Sequence, residues 1–458
     1  MAGMFLCLAV PVFGSEPVPK DDLEGLKITH ILITTQRIKE EVIRKKIPVK
    51  EGDAFSLEAI QQIRQRLNEM RFFKKVEVSF EKDPSQNGVQ INIHLEEGWF
   101  LIPLPFYTGG GGGSYGSLML IERNIFKRAE SVFFFGGGNQ DGGFGSVGFQ
   151  LNKFLLSANY GNRTSTEWGY ADRGFNSGGR FRSSRSESSP EKFGTIQNQY
   201  DRNTEEKSLQ TRFPLTEKMG GFFGVSSQII GYKNLALGSL PTDQGTVNSV
   251  STGFSFSTRR PDRVTNASFS FQDLGAVFGF GLADLSERIK PLPGVQTFSN
   301  ADIFVTDSDR AYGSDFNFTK ANAGGLSSVT FPDHQRILLR VKGGMSVTEN
   351  LPLSQKFATN RELSLRGNYA REFRGDRGVG SSLDFSYPFR RTPRGVWTGE
   401  LFADAATVWD SGASNYKEGL GLGFWYQFWR FPIPLGLTYS YSLDDRDSEV
   451  NFAFGSRF

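Results

Sequence analysis

The residue types that do chemistry in enzymes are sparse in this chain and poorly spaced for it. The three histidines, His30, His94 and His334, lie far apart, whereas protein zinc sites draw on closely spaced ligand pairs. The single cysteine, Cys7, falls in an apolar stretch from Met4 to Phe13. The glycine run Gly109 to Gly113 is not followed by Gly-Lys-Ser or Gly-Lys-Thr, so it lacks the lysine and hydroxyl with which a glycine loop holds phosphate. No Ser-His-Asp arrangement is legible. The expectation is a protein without catalytic centre, metal or cofactor. With 52 basic and 49 acidic residues the net charge is +3, a near balance that offers no electrostatic footprint for nucleic acid.

Surfaces rather than reacting groups therefore have to carry the function, and the last forty residues show which kind. Leu420, Leu422, Phe424, Tyr426 and Phe428 alternate with Gly419, Gly421, Gly423, Trp425 and Gln427. Leu435, Leu437, Tyr439, Tyr441 and Leu443 alternate with Gly436, Thr438, Ser440 and Ser442, and Val450, Phe452, Phe454 and Phe458 with Asn451, Ala453, Gly455 and Arg457. A period of two is a β-strand. Bulky apolar residues on one face with small or polar residues on the other is the partition of a transmembrane barrel, lipid outside and a polar lumen inside. The 53 glycines and 43 phenylalanines suit a crowded lumen, strand bends and aromatic girdles. No apolar run reaches the ~18 residues of a membrane-spanning helix.

The first fourteen residues read as a secretory signal, although no Lys or Arg precedes its apolar run. Residues 26–99 differ in pattern from the rest of the chain. Ile28 to Thr34 predicts a strand, and Ile38 to Ile47 a short amphipathic helix. Ser56 predicts the N-cap of a helix over Leu57 to Met70. Two strands, Lys75 to Glu81 and Val89 to Glu96, complete a β-α-α-β-β order. From residue 100 to 458 the pattern is strand after strand, among them Tyr115 to Ile121, Gly145 to Tyr160 and Leu383 to Phe389, with the glycine run Gly109 to Gly113 opening the first. At ~22 residues per strand and connection, this allows on the order of 16 strands, an even number. Asn162 to Lys207 predicts a long extracellular loop, Leu282 to Asn300 a second, and Ala267 to Gln272 a strand.

The segment Gly52-Asp53, Leu67 and Arg71-Phe72-Phe73-Lys74-Lys75-Val76 resembles a POTRA domain, present once. Five landmarks in the second part resemble the BamA/TamA-type outer-membrane barrel superfamily, also called the bacterial surface antigen family. Glu122-Arg123-Asn124-Ile125-Phe126, expected after the first barrel strand, is similar to its Asp-x-Asn-Leu-Phe turn, with Glu for Asp. Leu365-Arg366-Gly367-Asn368-Tyr369 is similar to its Val-Arg-Gly-aromatic motif, with Asn368 inserted and Thr359-Asn360 in place of an upstream Gly-Gly. Phe373 to Arg377 and Leu383 to Phe389 resemble the strand that comes next in the family. Phe402-Ala403-Asp404-Ala405-Ala406 resembles Phe-x-Asp-x-Gly, and the chain ends on a strand closed by Phe458.

The resemblance implies an all-β transmembrane barrel of about sixteen antiparallel strands behind one small α+β POTRA domain, in a bacterial outer membrane with the POTRA domain in the periplasm. It implies that the loop bearing Leu365, Arg366, Gly367 and Tyr369 folds back into the lumen. A guanidinium there needs a carboxylate, and Asp404, beside Phe402, is the partner implied. It also implies a seam between the first and last strands, here Gly109, Gly110 and Gly111 against Phe452, Phe454 and Phe458. The partners implied are membrane lipid, helper proteins and an unfolded client polypeptide added to the POTRA sheet edge. Three functions are implied, in order of preference: assembly of other outer-membrane proteins, two-partner export of one dedicated protein, or a plain porin-like channel. Fold alone does not choose among them.

Overall fold

The computed structural model describes residues 23–454 except 71–72, 84, 99–100, 111–112, 129, 140, 152–153, 171–173, 179–194, 217, 259–293, 349, 367–371, 411–413 and 429–433. The proposed signal, Cys7, Gly111, Gly367, Tyr369, Phe458 and the strand predicted over Ala267 to Gln272 lie outside the described residues. Contacts divide the described chain into two units, the first holding residues 23–98 with the turn 126–128 and the second 101–125 with 130–454.

The first unit holds β1 (Ile28–Thr34), α1 (Glu40–Arg44), α2 (Leu57–Glu69), β2 (Phe73–Asp83) and β3 (Gly88–Glu97), with the sheet in the order β1-β3-β2. The central strand β3 puts Val89, Ile91, Ile93 and Leu95 into the core, where Ile60, Ile63 and Leu67 of α2 and Ile43 of α1 are also buried. Ser56 caps α2, its hydroxyl accepting from the Ala59 N–H at 3.1 Å. The helix predicted over Ile38 to Ile47 shrinks to five residues. Pro48 follows Ile47 and disfavours helical backbone at that residue, yet Ile38, Ile43 and Ile47 stay buried.

The second unit is a closed antiparallel barrel. Its strands are β4 (Leu101–Gly110), β5 (Gly113–Ile125), β6 (Glu130–Asn139), β7 (Gly142–Leu151) and β8 (Phe154–Tyr170), continued by the short β9 (Gly174–Gly178). Then come β10 (Ile196–Pro214), β11 (Met219–Leu237), β12 (Gly245–Ser257), β13 (Gln296–Ser308), β14 (Phe318–Thr330) and β15 (Arg336–Ser346). The connection after β15 carries β16 (Phe357–Ala358) and β17 (Glu372–Gly375). The wall resumes with β18 (Arg377–Thr392), β19 (Gly395–Trp409), β20 (Ser414–Phe428), β21 (Pro434–Ser442) and β22 (Asp447–Phe454), which pairs with β4. Sixteen strands, β4–β8, β10–β15 and β18–β22, form the wall. One face of them is a continuous apolar belt. Leu118, Phe134, Phe223, Phe254, Ile303, Leu383, Leu401 and Phe424 are all exposed, an area far larger than a soluble surface tolerates and suited to lipid.

Several expectations needed correction. The segment predicted as an extracellular loop, Asn162 to Lys207, is strand over 162–170 and from 196 onward. A crossing strand needs about 9–11 residues, whereas β8 has 17 and β10 and β11 have 19 each. Their outer parts run beyond hydrocarbon, where no apolar row is required, so the alternation that marks a strand disappears. Gly145 to Tyr160 is two strands, β7 and β8. The Glu122 to Phe126 motif closes the second barrel strand rather than the first; a bulge lies between Glu122 and Ile125, and the turn proper has left-handed backbone at Phe126 (φ 61°) and Lys127 (φ 59°). The first strand starts at Leu101, before the glycine run, and includes Pro103 and Pro105. Of the predicted loop Leu282 to Asn300, residues 296–300 open β13.

The turn after β2 depends on one carboxylate. Asp83 accepts from the Ser85 hydroxyl (2.6 Å), the Thr29 hydroxyl (2.7 Å) and the Ser85 N–H (2.8 Å), and these bonds hold its pKa down at about 2, below the ~3.9 of an unfolded Asp. A lowered folded pKa gives stability that is complete above about pH 4 and is lost as pH falls through about 2. Asp83→Asn should therefore reduce hydrogen-exchange protection of the β2 and β3 amides in the full chain at pH 7. Wild type and variant should converge near pH 2; an unchanged gap there would refute this account.

Candidate functional site

Period two places Glu400, Phe402 and Asp404 on the inner face of β19, and Ser382 and Asp384 on that of β18, the partner strand. All five are buried. The connection between β15 and β18 folds into the lumen and delivers Arg366 to them. Its N–H and Nε donate to Asp404 Oδ2 at 2.9 and 3.0 Å, and one terminal nitrogen to Asp404 Oδ1 at 2.7 Å. The same nitrogen reaches Ser382 Oγ at 2.7 Å and pairs with Asp384; the other stands 3.5 Å from Glu400 Oε1. Asp384 is shared with Arg340 of β15 at 2.5 Å, and Glu400 accepts from the Trp425 indole at 2.5 Å. The guanidinium lies 3.8 Å from the Phe402 ring centroid, a stacking geometry available to Arg and not to Lys. The far end of the Phe402 ring in turn lies against Gly421, its cross-strand neighbour on β20. A Cβ there would collide with the ring and with the Tyr439 carbonyl.

The structure thus brings together Arg366, Asp404 and Phe402 from the sequence analysis. Asp384, Glu400, Ser382 and Trp425 were missed, although Glu400 shares the inward parity of Phe402 and Asp404, and Asp384 is an acid inside an apolar strand. Leu365 is buried in an apolar core made with Leu351, Phe357, Leu363 and Phe373 of the same connection and with Tyr200, Ile230, Tyr232, Val247, Phe318, Ala406 and Val408 of the wall. This corrects the expectation of a lumen lined by small and charged groups alone: where the connection enters, the inner face is greasy and packed.

The second candidate site is the seam. β5 pairs with every residue of β4, from Leu101↔Glu122 to Gly110↔Gly113. In an antiparallel ladder each residue turns its N–H and C=O to the same neighbour, and successive residues alternate. A ladder unbroken past Pro103 and Pro105, which have no N–H, must run through Ile102, Leu104, Phe106 and Thr108. The other set, with both prolines, faces β22. There the described pairing is Tyr107↔Phe454, Thr108↔Ala453 and Gly109↔Phe452. Three pairs close the seam among the described residues, against eight for β21–β22 and sixteen for β8–β10. Continuing the ladder along β4 meets Pro105 and then Pro103. Gly109 and Gly110 end β4, and Phe452 and Phe454 end the described part of β22.

These features define the class of protein: a single POTRA domain followed by a closed sixteen-stranded barrel with an inserted loop and a seam between β22 and β4. Residues 26–98 match the POTRA family model, described as surface antigen variable number repeat. Over 94% of its length the chain has the fold of CdiB from Acinetobacter baumannii (TM-score 0.59, 13% identity, 74% of that chain covered). The same share matches CdiB from Escherichia coli (TM-score 0.59, 13% identity, 76% covered). It also matches BamA from Haemophilus ducreyi lacking POTRA domains 1–3 (TM-score 0.57, 16% identity, 85% covered).

Arg366→Ala leaves Asp404, Asp384 and Glu400 facing one another without their common counter-charge. Breaking a buried pair on one side costs about 3–5 kcal/mol. The expected outcome is a clearly lower thermal midpoint in detergent and loss of the compact band on unheated gels, with Arg366→Lys intermediate because an ammonium can neither fork nor stack. A variant that melts with the wild type removes the cluster from the account of stability.

Proposed function

We propose that this chain assists the assembly of β-barrel proteins in a bacterial outer membrane, with its POTRA domain in the periplasm and its lipid-facing belt in the bilayer. The observation that carries this reading is the seam. A strand edge that carries two prolines, with three pairs to β22 among the described residues, is the place where an incoming strand can displace β22 and take its hydrogen bonds. The partner is an unfolded polypeptide able to form strands, delivered by strand addition to the POTRA sheet. Of the two outer strands of that sheet, β1 is occupied at its centre: the Ile31 N–H donates to Glu51 and its carbonyl accepts from Arg44. This favours the outer side of β2, where Arg64 holds the Val78 carbonyl and would be displaced. No bond-making chemistry is part of this role.

Export of a dedicated protein through the lumen is the second reading. It requires the inserted connection and its apolar core to leave the wall, and a porin role requires the same. Both are disfavoured by the packing of Leu351, Phe357, Leu363, Leu365 and Phe373 against the inner face.

A disulfide across the seam separates these roles. Thr108 and Ala453 face each other in a pair that does not exchange hydrogen bonds, where Cα atoms come closest and within disulfide reach. In a chain with Cys7 replaced, Thr108→Cys with Ala453→Cys should abolish accelerated folding of an unfolded barrel substrate in liposomes when oxidised, and reduction should restore it. Full activity in the oxidised form would sink the seam reading, and polypeptide transport surviving oxidation would favour export.

A further inference from the structure

The outer surface of the barrel carries a concentration of positive charge that neither the Arg366 cluster nor the seam uses. It sits where β18 turns into β19. The first wall strand, β4, leaves from the end at which the POTRA sequence stops. Wall strands alternate in direction, so β18, the twelfth, returns to that end. The end is periplasmic on the reading proposed above, and the choice of leaflet made below rests on that reading.

Along β18, Val379, Leu383, Phe385, Tyr387 and Phe389 are exposed. This row has the length a crossing strand needs, about 9–11 residues. Had the alternation continued, Arg390 would have fallen on the lumen face. Instead the register shifts between Pro388, which pairs with Thr398, and Arg390, which pairs with Trp397. Phe389 is the extra residue of a bulge, a device that re-aims a side chain. Cross-strand neighbours share a face. Trp397 is exposed and Thr398 is buried, so the bulge turns Arg390 outward, beside Trp397 and at the foot of the apolar row.

Arg390, Arg391 and Arg394 are all exposed. Arg391 donates to the Asp333 carbonyl of the neighbouring turn at 3.2 Å. Arg390 and Arg394 form no ion pair among the described residues. The turn that bears them is fixed. The Thr392 hydroxyl accepts from the Gly395 N–H at 3.1 Å and stands 3.4 Å from the Tyr426 hydroxyl. The Tyr426 ring lies 4.7 Å from Trp397 and meets Phe428 edge-on at 4.7 Å. Aromatic rings gathered at one height mark the level of lipid headgroups.

We propose that this turn binds an anionic phospholipid of the periplasmic leaflet, with the phosphate held by Arg390 and Arg394 and the acyl chains lying along Phe389, Tyr387 and Leu401. A guanidinium offers phosphate a planar fork. A molecule lying in the leaflet meets both the arginines and the exposed apolar row, whereas a soluble phosphate meets the arginines alone. A zwitterionic headgroup brings its own ammonium and gains less from the same charges.

The test uses the full chain in bilayers of phosphatidylcholine doped with brominated phosphatidylglycerol or brominated phosphatidylcholine, each of which quenches an indole it touches. The Trp397 signal is the difference between each protein and its Trp397→Phe counterpart. A basic residue near the membrane surface strengthens anionic binding about fivefold. The wild type should therefore prefer phosphatidylglycerol, and Arg390→Gln with Arg394→Gln should lower that preference by about an order of magnitude or more. Lysine at both positions should keep most of it. Salt gives the same reading without any substitution: at about 1 M, where charges are screened within about 3 Å, the wild-type preference should shrink. Equal quenching by the two lipids in the wild type overturns the proposal, as does a preference unchanged in the double Gln variant or in high salt. No client takes part in these measurements, so failure of the seam experiment and failure of this one are read separately.

Discussion

A sheet that closes on itself inside hydrocarbon has to satisfy every backbone N–H and C=O without help from water. Fifteen of the sixteen junctions in this wall do so with eight or more pairs, and the last does so with three among the described residues. The long ladders of β8, β10 and β11 stand far from it in the strand order, and the first strand meets it with two residues that cannot donate. A proline inside a closed membrane wall would ordinarily be excluded. Here the missing donors face β22, and the ladder to β5 is unbroken.

The lumen answers a different constraint. Arg366 brings a cation to three buried carboxylates that would repel one another without it, and it is fixed by a fork of hydrogen bonds and a ring beneath it. A barrel wall is a single layer with no core of its own. The inserted connection supplies one, and its leucines and phenylalanines fill the space that inward-facing Tyr200, Ile230 and Val247 leave between them.

Much of this architecture is legible in the residues alone. The alternation over Leu420 to Phe428 and Leu435 to Leu443 marks strands because lipid demands an uninterrupted apolar row, and β20 and β21 follow that row. The β-α-α-β-β order is readable because α2 and β3 each bury one clear stripe. What escapes notice is whatever lipid does not police. Residues 162–170 and 196–207 are mostly polar and carry no uninterrupted apolar row, so no period survives. The buried pairing of Glu167 with Arg202 and Arg374 is hidden for the same reason, as a charged residue in a stretch that reads as solvated. Pro103 and Pro105 point away from a strand in local sequence, and only the topology shows that their missing donors turn from β5 toward β22. Asp404 could be matched to Arg366 only through resemblance; Asp384 and Glu400 join it because parity and closure bring β18 and β19 side by side.

Gly421 carries the last consequence. It has no side chain and makes no polar contact with the cluster, yet the Phe402 ring rests on it and the Arg366 guanidinium rests on the ring. A single added methyl would push the ring, the ring would push the cation, and three acids two strands deep would lose their common neutraliser. An uncharged carbon atom at that position would thus register as an electrostatic lesion, one that a survey confined to ionisable residues would overlook.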